Sequence, residues 1–206
     1  MKEVLIVDYN LGNLTSLQSA LSYLGYSSII SNDPDMILRS RKIILPGVGA
    51  FPTAINYLKK YNLPDAIKES AKKGNNILGI CLGMQLFMDT SYEFSKTSGL
   101  GLIEGEVISI NQNRKVPIKL PSIGWYRLVK KKNDQIFDKI SKQQWFYFVH
   151  SFMVKCKNSN NILADYEVGE KNVSAIIKKD NITGFQFHPE NSGLEGLTFL
   201  ENFCNE

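Results

Sequence analysis

The sequence has 206 residues, of which 43% are hydrophobic and 21% charged, a composition typical of a soluble globular protein. This length provides one well-buried core, so we expect a single domain over residues 1–206. No apolar stretch reaches the ~18–20 residues that span a bilayer. Three cysteines without a signal-peptide pattern favour a reducing cytoplasm over a disulfide framework. The net charge of +4 comes from scattered basic residues, which argues against a nucleic-acid-binding face.

Strand and helix signals alternate in the first half of the chain. Leucines at positions 14, 17, 21 and 24 recur at spacings of three and four, which predicts the apolar face of a helix. The predicted strands are 4–7, 28–31, 42–45 and 76–80, and the further predicted helices are 51–60, 64–73 and 82–88. Such alternation indicates a parallel sheet with helices on both faces.

The second half is rich in strand signals. The predicted strands are 107–110, 126–129, 145–149, 162–166, 173–177 and 183–187. Helical spacing returns only near the end, where Leu194, Leu197, Leu200 and Phe203 outline a closing helix. We therefore predict an α/β fold: a three-layer sandwich with a mainly parallel central sheet and an antiparallel extension.

The segment Gly79-Ile80-Cys81-Leu82-Gly83 joins a predicted buried strand to a predicted helix. Its Gly-x-Cys-x-Gly spacing is the cysteine counterpart of the nucleophile elbow of serine hydrolases. A nucleophile on so sharp a turn crowds the backbone two residues before and after it, where a Cβ would clash. At the start of a helix, unpaired N–H groups favour the reactive thiolate. The alternative is a small buried cysteine that only fills space at a tight turn.

Two histidines are available as a base for Cys81, namely His150 and His188. His188 ends a predicted strand, because Pro189 interrupts the ladder, and strand ends usually face the site in α/β sheets. Glu190 is near enough to hold the imidazole tautomer, so Cys81, His188 and Glu190 form a plausible triad. His150 follows a strongly aromatic strand, where we expect a packed, hydrogen-bonded histidine. No further ligand cluster accompanies the histidines, so we expect no metal site.

A glycine-rich loop, Pro46-Gly47-Val48-Gly49, follows the third predicted strand. In a parallel sheet this loop lies at the same edge as the end of the fourth strand, and therefore beside Cys81. Glycines let the backbone approach a ligand closely, so the N–H groups of Val48 and Leu82 are candidates for an oxyanion hole. Taken alone, the loop is equally an ordinary glycine-rich turn.

Three segments in this order, 46–49, 79–85 and 186–190, are similar to the class I (triad) glutamine amidotransferases. Two further segments, 6–13 and 147–152, resemble the glutaminase subunits of imidazole glycerol phosphate synthase. The resemblance extends from residue 3 to residue 204, almost the whole chain. It implies the three-layer fold with a nucleophile elbow, hydrolysis of glutamine to glutamate and ammonia, and no cofactor.

The resemblance implies a role for each residue of the site. Cys81 is the implied nucleophile, His188 the general base and acid, and Glu190 the group that orients His188. The amides of Val48 and Leu82 are the implied oxyanion hole. The residues implied to surround glutamine are Gly49, Gln85, Ser151 and Phe152.

The resemblance also implies a partner, a (β/α)₈-barrel cyclase that forms a heterodimer with this chain. Ammonia would pass through the barrel to a nucleotide, which gives imidazole glycerol phosphate for histidine biosynthesis and an aminoimidazole carboxamide ribonucleotide. The residues implied to meet the cyclase are Asn13, Trp125, Tyr147 and Asn191.

The sequence departs from the family pattern at four positions outside the triad. Family members usually have His and Asn where this chain has Ser122 and Tyr126. They usually have Lys in place of Asn191 and Tyr in place of Phe152. Because Ser122, Tyr126 and Asn191 lie where the family meets its cyclase, an alternative acceptor is a sugar amidotransferase in surface-glycan biosynthesis.

Two other classes of protein fit the sequence less well. A different cysteine hydrolase on a similar fold usually takes its histidine from beside the cysteine, where this chain has Leu82. A non-catalytic binding protein on the same scaffold would be expected to have lost a member of the triad, and all three are present.

We also expect the isolated chain to be a poor glutaminase, because the flexible pair Gly47 and Gly49 leaves the oxyanion hole unformed until the partner docks.

Overall fold

A mainly parallel sheet covered by helices forms the centre of the molecule, as a computed structural model describes it for residues 3–141 and 144–206. The strands are β1 (Glu3–Val7), β2 (Ser27–Ser31), β3 (Lys42–Leu45), β4 (Asn76–Ile80), β5 (Thr90–Ser91), β6 (Thr97–Ser98), β7 (Gly105–Ser109), β8 (Ser122–Arg127), β9 (Val129–Lys130), β10 (Trp145–His150), β11 (Phe152–Cys156), β12 (Ile162–Val168), β13 (Lys171–Lys179) and β14 (Ile182–Phe185). The α-helices are α1 (Leu14–Tyr23), α2 (Pro34–Arg39), α3 (Phe51–Lys60), α4 (Leu63–Lys72), α5 (Leu82–Leu86) and α6 (Gly193–Asn205). None of these helices combines the length and the apolar character needed to cross a membrane.

The main sheet has the strand order β2-β1-β3-β4-β14-β13-β12-β9. Its strands from β2 to β14 are parallel, and β13, β12 and β9 continue it in antiparallel fashion. Two smaller sheets, β10-β8 and β11-β7-β5-β6, complete the β-rich half. This topology confirms the predicted α/β sandwich with a mainly parallel central sheet and an antiparallel extension.

Alternate side chains of the parallel strands pack into two separate hydrophobic cores. In β1, Val4 and Ile6 pack in one core with residues of α1 and α6, whereas Leu5 and Val7 pack in the other with residues of α2, α3 and α4. A strand covered on both faces needs apolar side chains at every position, which explains the unbroken apolar run in this strand. The layers leave the carboxyl ends of β3, β4 and β14 together at one edge of the sheet.

The structure corrects several predicted elements. The single strand predicted over 126–129 is wrong, because β8 ends at Arg127 and β9 begins at Val129 in a different sheet. The helix predicted over 82–88 ends at Leu86. The sequence pattern also misses α2, whose six residues are too few to show a helical period, and β11, which follows β10 after one residue.

Candidate active site

Cys81 lies on a sharp turn between β4 and α5. Its backbone has φ 53° and ψ −106°, a conformation that L-residues rarely adopt. Its N–H donates to the Phe185 carbonyl at 2.7 Å, which ties the strained turn to the end of β14. Strain of this kind persists only where the surroundings hold it, and it is typical of functional sites.

The glycines on either side of Cys81 are required by backbone contacts. A Cβ on Gly79 would lie 2.6 Å from the carbonyl carbon of Gly83 and from the amide nitrogen of Met84. A Cβ on Gly83 would lie 1.8 Å from the carbonyl oxygen of Leu45 at the end of β3. Neither approach is sterically possible, so the Gly-x-Cys-x-Gly spacing follows from the close packing of this turn.

His188 and Glu190 follow β14 and form a buried pair. Nδ1 of His188 lies 2.8 Å from Oε1 of Glu190, and each side chain is 6% exposed. Because a carboxylate only accepts, Nδ1–H is the donor, and Nε2 is the ring nitrogen that remains for Cys81. Nε2 has no hydrogen-bond partner of normal geometry among the described residues. In enzymes without substrate, catalytic hydrogen bonds are often long and tighten only in the reacting complex.

Opposing effects set the protonation state of His188. Burial lowers its pKa, but the nearby Cys81 sulfur and the hydrogen-bonded, negatively charged Glu190 carboxylate outweigh burial and raise the pKa to about 10. When Cys81 is a thiolate, the imidazole therefore carries a proton at neutral pH. A thiolate–imidazolium pair supplies both a nucleophile and an acid for the leaving group.

A cavity of about 370 Å³ opens beside Cys81. Ligand pockets of this order bury a small metabolite, and the cavity lies at the carboxyl edge of the parallel strands, where α/β sheets usually bind. The structure places all four residues predicted to surround glutamine on its wall, together with both residues of the predicted oxyanion hole. These lining residues are Gly49, Gln85, Ser151, Phe152, Val48 and Leu82.

Glu93 is a lining residue that the sequence pattern does not indicate. It is 8% exposed, and its Oε2 accepts from the N–H of Phe51, the first residue of α3, at 2.8 Å. Burial raises the pKa of this carboxyl, and the hydrogen bond from Phe51 acts in the opposite direction. A carboxylate held on the wall of a small cavity is suited to an ammonium group, since charge-assisted hydrogen bonds are strong.

The two amides predicted for the oxyanion hole are not both directed into the cavity. The N–H of Leu82 donates to the carbonyl of Gly47 at 3.4 Å. The Gly47 carbonyl and the Val48 N–H belong to one planar trans peptide, and they point in opposite directions. The Val48 N–H is therefore directed away from Leu82. Turning this peptide by roughly 180° would exchange the carbonyl for a second N–H donor.

The loop that carries this peptide packs tightly against the elbow. The Tyr9 hydroxyl donates to the Pro46 carbonyl, and a Cβ on Gly47 would lie 2.3 Å from that hydroxyl. Gly49 adopts φ +104°, which L-residues with a side chain rarely do. The ends of the loop are thus held, while the peptides between its glycines have the conformational freedom to turn.

His150 is a packed, hydrogen-bonded histidine, as the aromatic strand predicts. Its Nδ1 lies 2.6 Å from the Phe152 carbonyl, and its Nε2 contacts the Tyr166 hydroxyl. Burial is the main cause that lowers its pKa to about 4, so the ring is neutral at neutral pH. With both nitrogens engaged, His150 is not free to serve Cys81. Within the described ranges, no group of three or more His, Cys, Asp or Glu side chains is placed to hold a metal ion.

An exposed apolar face lies next to the site. We use the name β8–β10 face for four of the outward side chains of the small two-stranded sheet, namely Ile123, Trp125, Trp145 and Tyr147. Trp125 is 50% exposed, and its ring lies 5.8 Å from that of Tyr147. The Tyr147 carbonyl accepts from the His188 N–H at 3.0 Å, which joins this sheet to the triad.

Two of the residues predicted at the partner interface, Trp125 and Tyr147, therefore lie on this face, and a third, Asn191, lies close to the triad. Asn191 is exposed, and its N–H donates to the His188 carbonyl at 3.1 Å. Asn13 caps α1 by accepting from the Ser16 N–H, and α1 packs against the Pro189–Asn191 turn. Three of the four predicted interface residues thus lie on this face or next to the triad, and the fourth begins a helix that packs against the turn following His188.

Solved structures of other proteins share this fold. One is PurLQS from Thermotoga maritima, with a TM-score of 0.72 and 21% identity over 98% of this chain and 97% of the other. Another is a glutamine amidotransferase from Thermotoga maritima, with a TM-score of 0.63 and 19% identity over 98% of this chain and 82% of the other. At such identities the likeness concerns the fold alone.

Sequence relatives are much closer. The family model described as glutamine amidotransferase class-I matches residues 5–206. The chain is 45% identical to the imidazole glycerol phosphate synthase subunit HisH of Lactococcus lactis subsp. lactis (strain IL1403), over 100% of both chains. It is 43% identical to the subunit of the same name from Methanosarcina barkeri (strain Fusaro / DSM 804), over 100% of this chain and 99% of the other. The chain therefore belongs to the class-I glutamine amidotransferase family, among the HisH glutaminase subunits of imidazole glycerol phosphate synthase.

Proposed function

We propose that this chain hydrolyses the side-chain amide of glutamine with Cys81, His188 and Glu190, and that it delivers the ammonia to a (β/α)₈-barrel cyclase. The observation that carries the proposal is the arrangement around Cys81. The cysteine is strained on its turn and lines a cavity of about 370 Å³. The buried His188–Glu190 pair supports its thiolate, with Nε2 left over for the sulfur.

In the first half of the reaction, the Cys81 thiolate attacks the side-chain carbonyl carbon of glutamine. The carbonyl oxygen takes up the negative charge, which the oxyanion-hole amides stabilise. His188 then gives its proton to the amide nitrogen, the C–N bond breaks, and ammonia leaves. Glu190 holds the imidazole in the tautomer with Nδ1 protonated throughout, so that Nε2 is the atom that transfers the proton.

In the second half, water hydrolyses the thioester between Cys81 and the glutamyl group. His188 is now neutral, and its Nε2 accepts a proton from water as the oxygen attacks the carbonyl carbon. Collapse of the second tetrahedral intermediate releases glutamate and regenerates the thiolate and the imidazolium. The two half-reactions thus use the same base and the same oxyanion hole.

Two side chains of the cavity wall suit the polar groups of glutamine. Glu93 offers a carboxylate to the α-ammonium group, and this interaction favours the ionised carboxyl. Both hydrogens of the Gln85 amide nitrogen are engaged, by the Phe152 carbonyl at 3.0 Å and by Gln186 at 3.1 Å. Gln85 therefore presents its oxygen to the substrate as an acceptor.

We propose that the cyclase docks on the β8–β10 face. Trp125 and Trp145 are about half exposed, and aromatic residues of this kind are enriched among the residues that dominate interface energies. The face adjoins the cavity, because Val149 of β10 lines the cavity wall. A partner there would cover the exit beside Cys81 and receive ammonia directly. The thiols of Cys81, Cys156 and Cys204 are not joined in disulfides in this structure, which suits the cytoplasmic location that we propose.

The relatives bear on the choice of acceptor. Their shared name is that of a subunit of imidazole glycerol phosphate synthase, and the surface-glycan alternative is not favoured. In the proposed pathway the products of the complex are imidazole glycerol phosphate and an aminoimidazole carboxamide ribonucleotide. These belong to histidine biosynthesis and purine metabolism.

The test is a comparison of two nitrogen sources in the complex with the cyclase. We expect Cys81→Ala to abolish glutamine-dependent product formation and glutamate release, and to leave the reaction with added ammonium salt intact. The matched control is Cys156→Ala, which removes a thiol that lies outside this cavity and whose pKa is raised to about 11 by burial. Glutamine hydrolysis that survives in Cys81→Ala would contradict the proposal.

A further inference from the structure

We propose that Gln186 is a further catalytic residue, whose side-chain amide donates a hydrogen bond to the sulfur of Cys81 and stabilises the thiolate. This inference rests on the proposed function, since it concerns the same nucleophile. Nε2 of Gln186 lies 3.6 Å from Sγ of Cys81, a normal length for a hydrogen bond to sulfur, and the Gln186 side chain is fully buried.

The backbone around Gln186 fixes its place next to the nucleophile. The preceding residue, Phe185, accepts the Cys81 N–H at 2.7 Å, and the Gln186 N–H donates to the Ala175 carbonyl at 2.9 Å. Gln186 thus continues the register of β14 between its neighbours β4 and β13. Two residues later the chain supplies His188. The thiol is therefore flanked by an amide donor and a base from one short segment.

A chain of hydrogen bonds determines which end of the Gln186 amide faces the sulfur. Its oxygen accepts from Nε2 of Gln85 at 3.1 Å, so its nitrogen is the end directed at Cys81. Gln85 is oriented in the same way, because its Nε2 also donates to the Phe152 carbonyl at 3.0 Å. A carbonyl oxygen only accepts, so this contact assigns the nitrogen of Gln85 and, through it, the nitrogen of Gln186.

The chain of hydrogen bonds ends at a rigid anchor behind the cavity. The Phe152 carbonyl also accepts from Nδ1–H of His150 at 2.6 Å. This contact requires the tautomer with Nδ1 protonated, and Nε2 of His150 then accepts from the Tyr166 hydroxyl. His150 is a positioning residue in this scheme. It holds the carbonyl that orients Gln85, and Gln85 orients Gln186.

The chemical value of Gln186 is that it stabilises charge without competing for a proton. An amide N–H remains a donor at every pH of interest, whereas His188 changes state during the reaction. A hydrogen bond to a charged acceptor contributes enough to shift an acid–base equilibrium by about one pH unit or more. Loss of the donor should therefore raise the pH at which Cys81 becomes a thiolate.

The experiment measures the pH dependence of Cys81 alkylation by iodoacetamide in the complex with the cyclase, followed by mass spectrometry of the Cys81 peptide. We expect Gln186→Leu to move the midpoint upward by about one pH unit and to lower kcat/KM for glutamine about tenfold. Gln186→Glu keeps an acceptor for Gln85 but removes the donor and adds charge, so its midpoint should rise further. This second variant decides the matter if the first does not fold.

Thr183→Val is the matched control. It removes a buried hydroxyl of β14, the strand that leads to Gln186, and this hydroxyl has no hydrogen-bond partner among the described residues. We expect its alkylation midpoint to equal that of the unmodified chain. Equal midpoints in the Gln186 variants as well would overturn the inference, even where glutamine hydrolysis proceeds. If the unmodified complex hydrolyses no glutamine, the proposed function fails, and the alkylation midpoints still decide the role of Gln186.

Discussion

The Cys81 elbow and the β8–β10 face lie side by side, but backbone atoms determine the shape of the elbow and side chains determine that of the face. At the elbow, backbone atoms exclude side chains, as the 1.8 Å approach of a Cβ on Gly83 to the Leu45 carbonyl shows. On the face, side chains extend into open space, with Ile123 59% and Trp125 50% exposed. The proposed chemistry thus depends on close backbone packing, whereas the proposed docking surface consists of exposed side chains.

Two of the departures from the family pattern lie together behind the β8–β10 face. Ser122 and Tyr126 replace the usual His and Asn, and their hydroxyls lie 3.2 Å apart. The Tyr126 ring lies 5.0 Å from that of Tyr166, in the aromatic packing behind the β8–β10 face. The two replacements therefore complement each other in one local cluster.

A methyl group placed inside the elbow should disrupt the turn more severely than any other change considered below. We expect Gly83→Ala to abolish glutaminase activity and to lower the free energy of unfolding by roughly 3 kcal/mol, the upper range for overpacking. Urea unfolding and glutamate release measure the two effects. Gly74→Ala is the control, since a Cβ there meets nothing within 4 Å and only the φ of +83° is unfavourable, which costs about 1 kcal/mol. Equal stability of the two variants would show that the elbow tolerates side chains.

Docking of the cyclase on the β8–β10 face should turn the Gly47–Val48 peptide at the elbow. In the isolated chain the Gly47 carbonyl accepts from the Leu82 N–H, so one of the two amides proposed for the oxyanion hole is occupied and the other is turned away. Loss of one such donor lowers kcat by about 10²–10³. We therefore expect the cyclase to raise kcat for glutamine hydrolysis at least ~100-fold, as measured by glutamate release with and without the partner. Robust steady turnover by the isolated chain would contradict this prediction.

A substitution on the β8–β10 face should weaken binding of the cyclase without changing the catalytic residues. We expect Trp125→Ala to weaken binding of the cyclase by roughly 30-fold, because central aromatic residues contribute about 2 kcal/mol to interfaces. The thermal stability of the isolated chain should not change. Isothermal titration calorimetry measures the first effect and differential scanning calorimetry the second. Tyr23→Ala, at a 72% exposed aromatic residue at the far end of α1 from Asn13, should bind normally.

The protonation of His188 should determine how kcat/KM depends on pH. The pKa of His188 is raised from 6.5 to about 10, so the stability contributed by its proton is present below 6.5 and is lost as pH rises through about 10. Because Glu190 helps to raise that pKa, we expect Glu190→Gln to shift the alkaline limb of kcat/KM to lower pH. Glu69→Gln should leave the profile unchanged, since Glu69 is half exposed and pairs with Lys73 at the surface. An unmoved limb in Glu190→Gln would separate Glu190 from the protonation of His188.

Much of the fold could be predicted because local patterns and tertiary packing agree in the first half. The bounds of α3 and β4 follow from amphipathic spacing and from an apolar run between polar ends. Prediction was weaker around β8 and β9, because the outward residues Trp125 and Val129 are apolar yet exposed. An apolar residue on a binding face has the same appearance in sequence as a core residue, so alternation does not reveal where one strand ends.

The residues of the candidate site also differ in how well the sequence predicts them. Cys81, His188 and Glu190 are recognisable because each lies in a local motif with a steric or chemical reason. Glu93 and Gln186 were missed because their contacts join distant parts of the chain, 42 positions to Phe51 and 105 positions to Cys81. A single carboxylate or amide carries no local signal of such a partner. Only the folded chain brings Glu93 to the cavity wall and Gln186 to the sulfur of Cys81.

The contact between the Gly47 carbonyl and the Leu82 N–H has a consequence for inhibitors. Direct alkylation of sulfur displaces a leaving group and generates no tetrahedral oxyanion, so an electrophilic glutamine analogue of that type inactivates the isolated chain and the assembled complex alike. An analogue that must form a tetrahedral adduct requires the turned peptide. We therefore expect it to capture the assembled complex selectively, so that the ratio of the two inactivation rates reports the population of the turned peptide in a preparation.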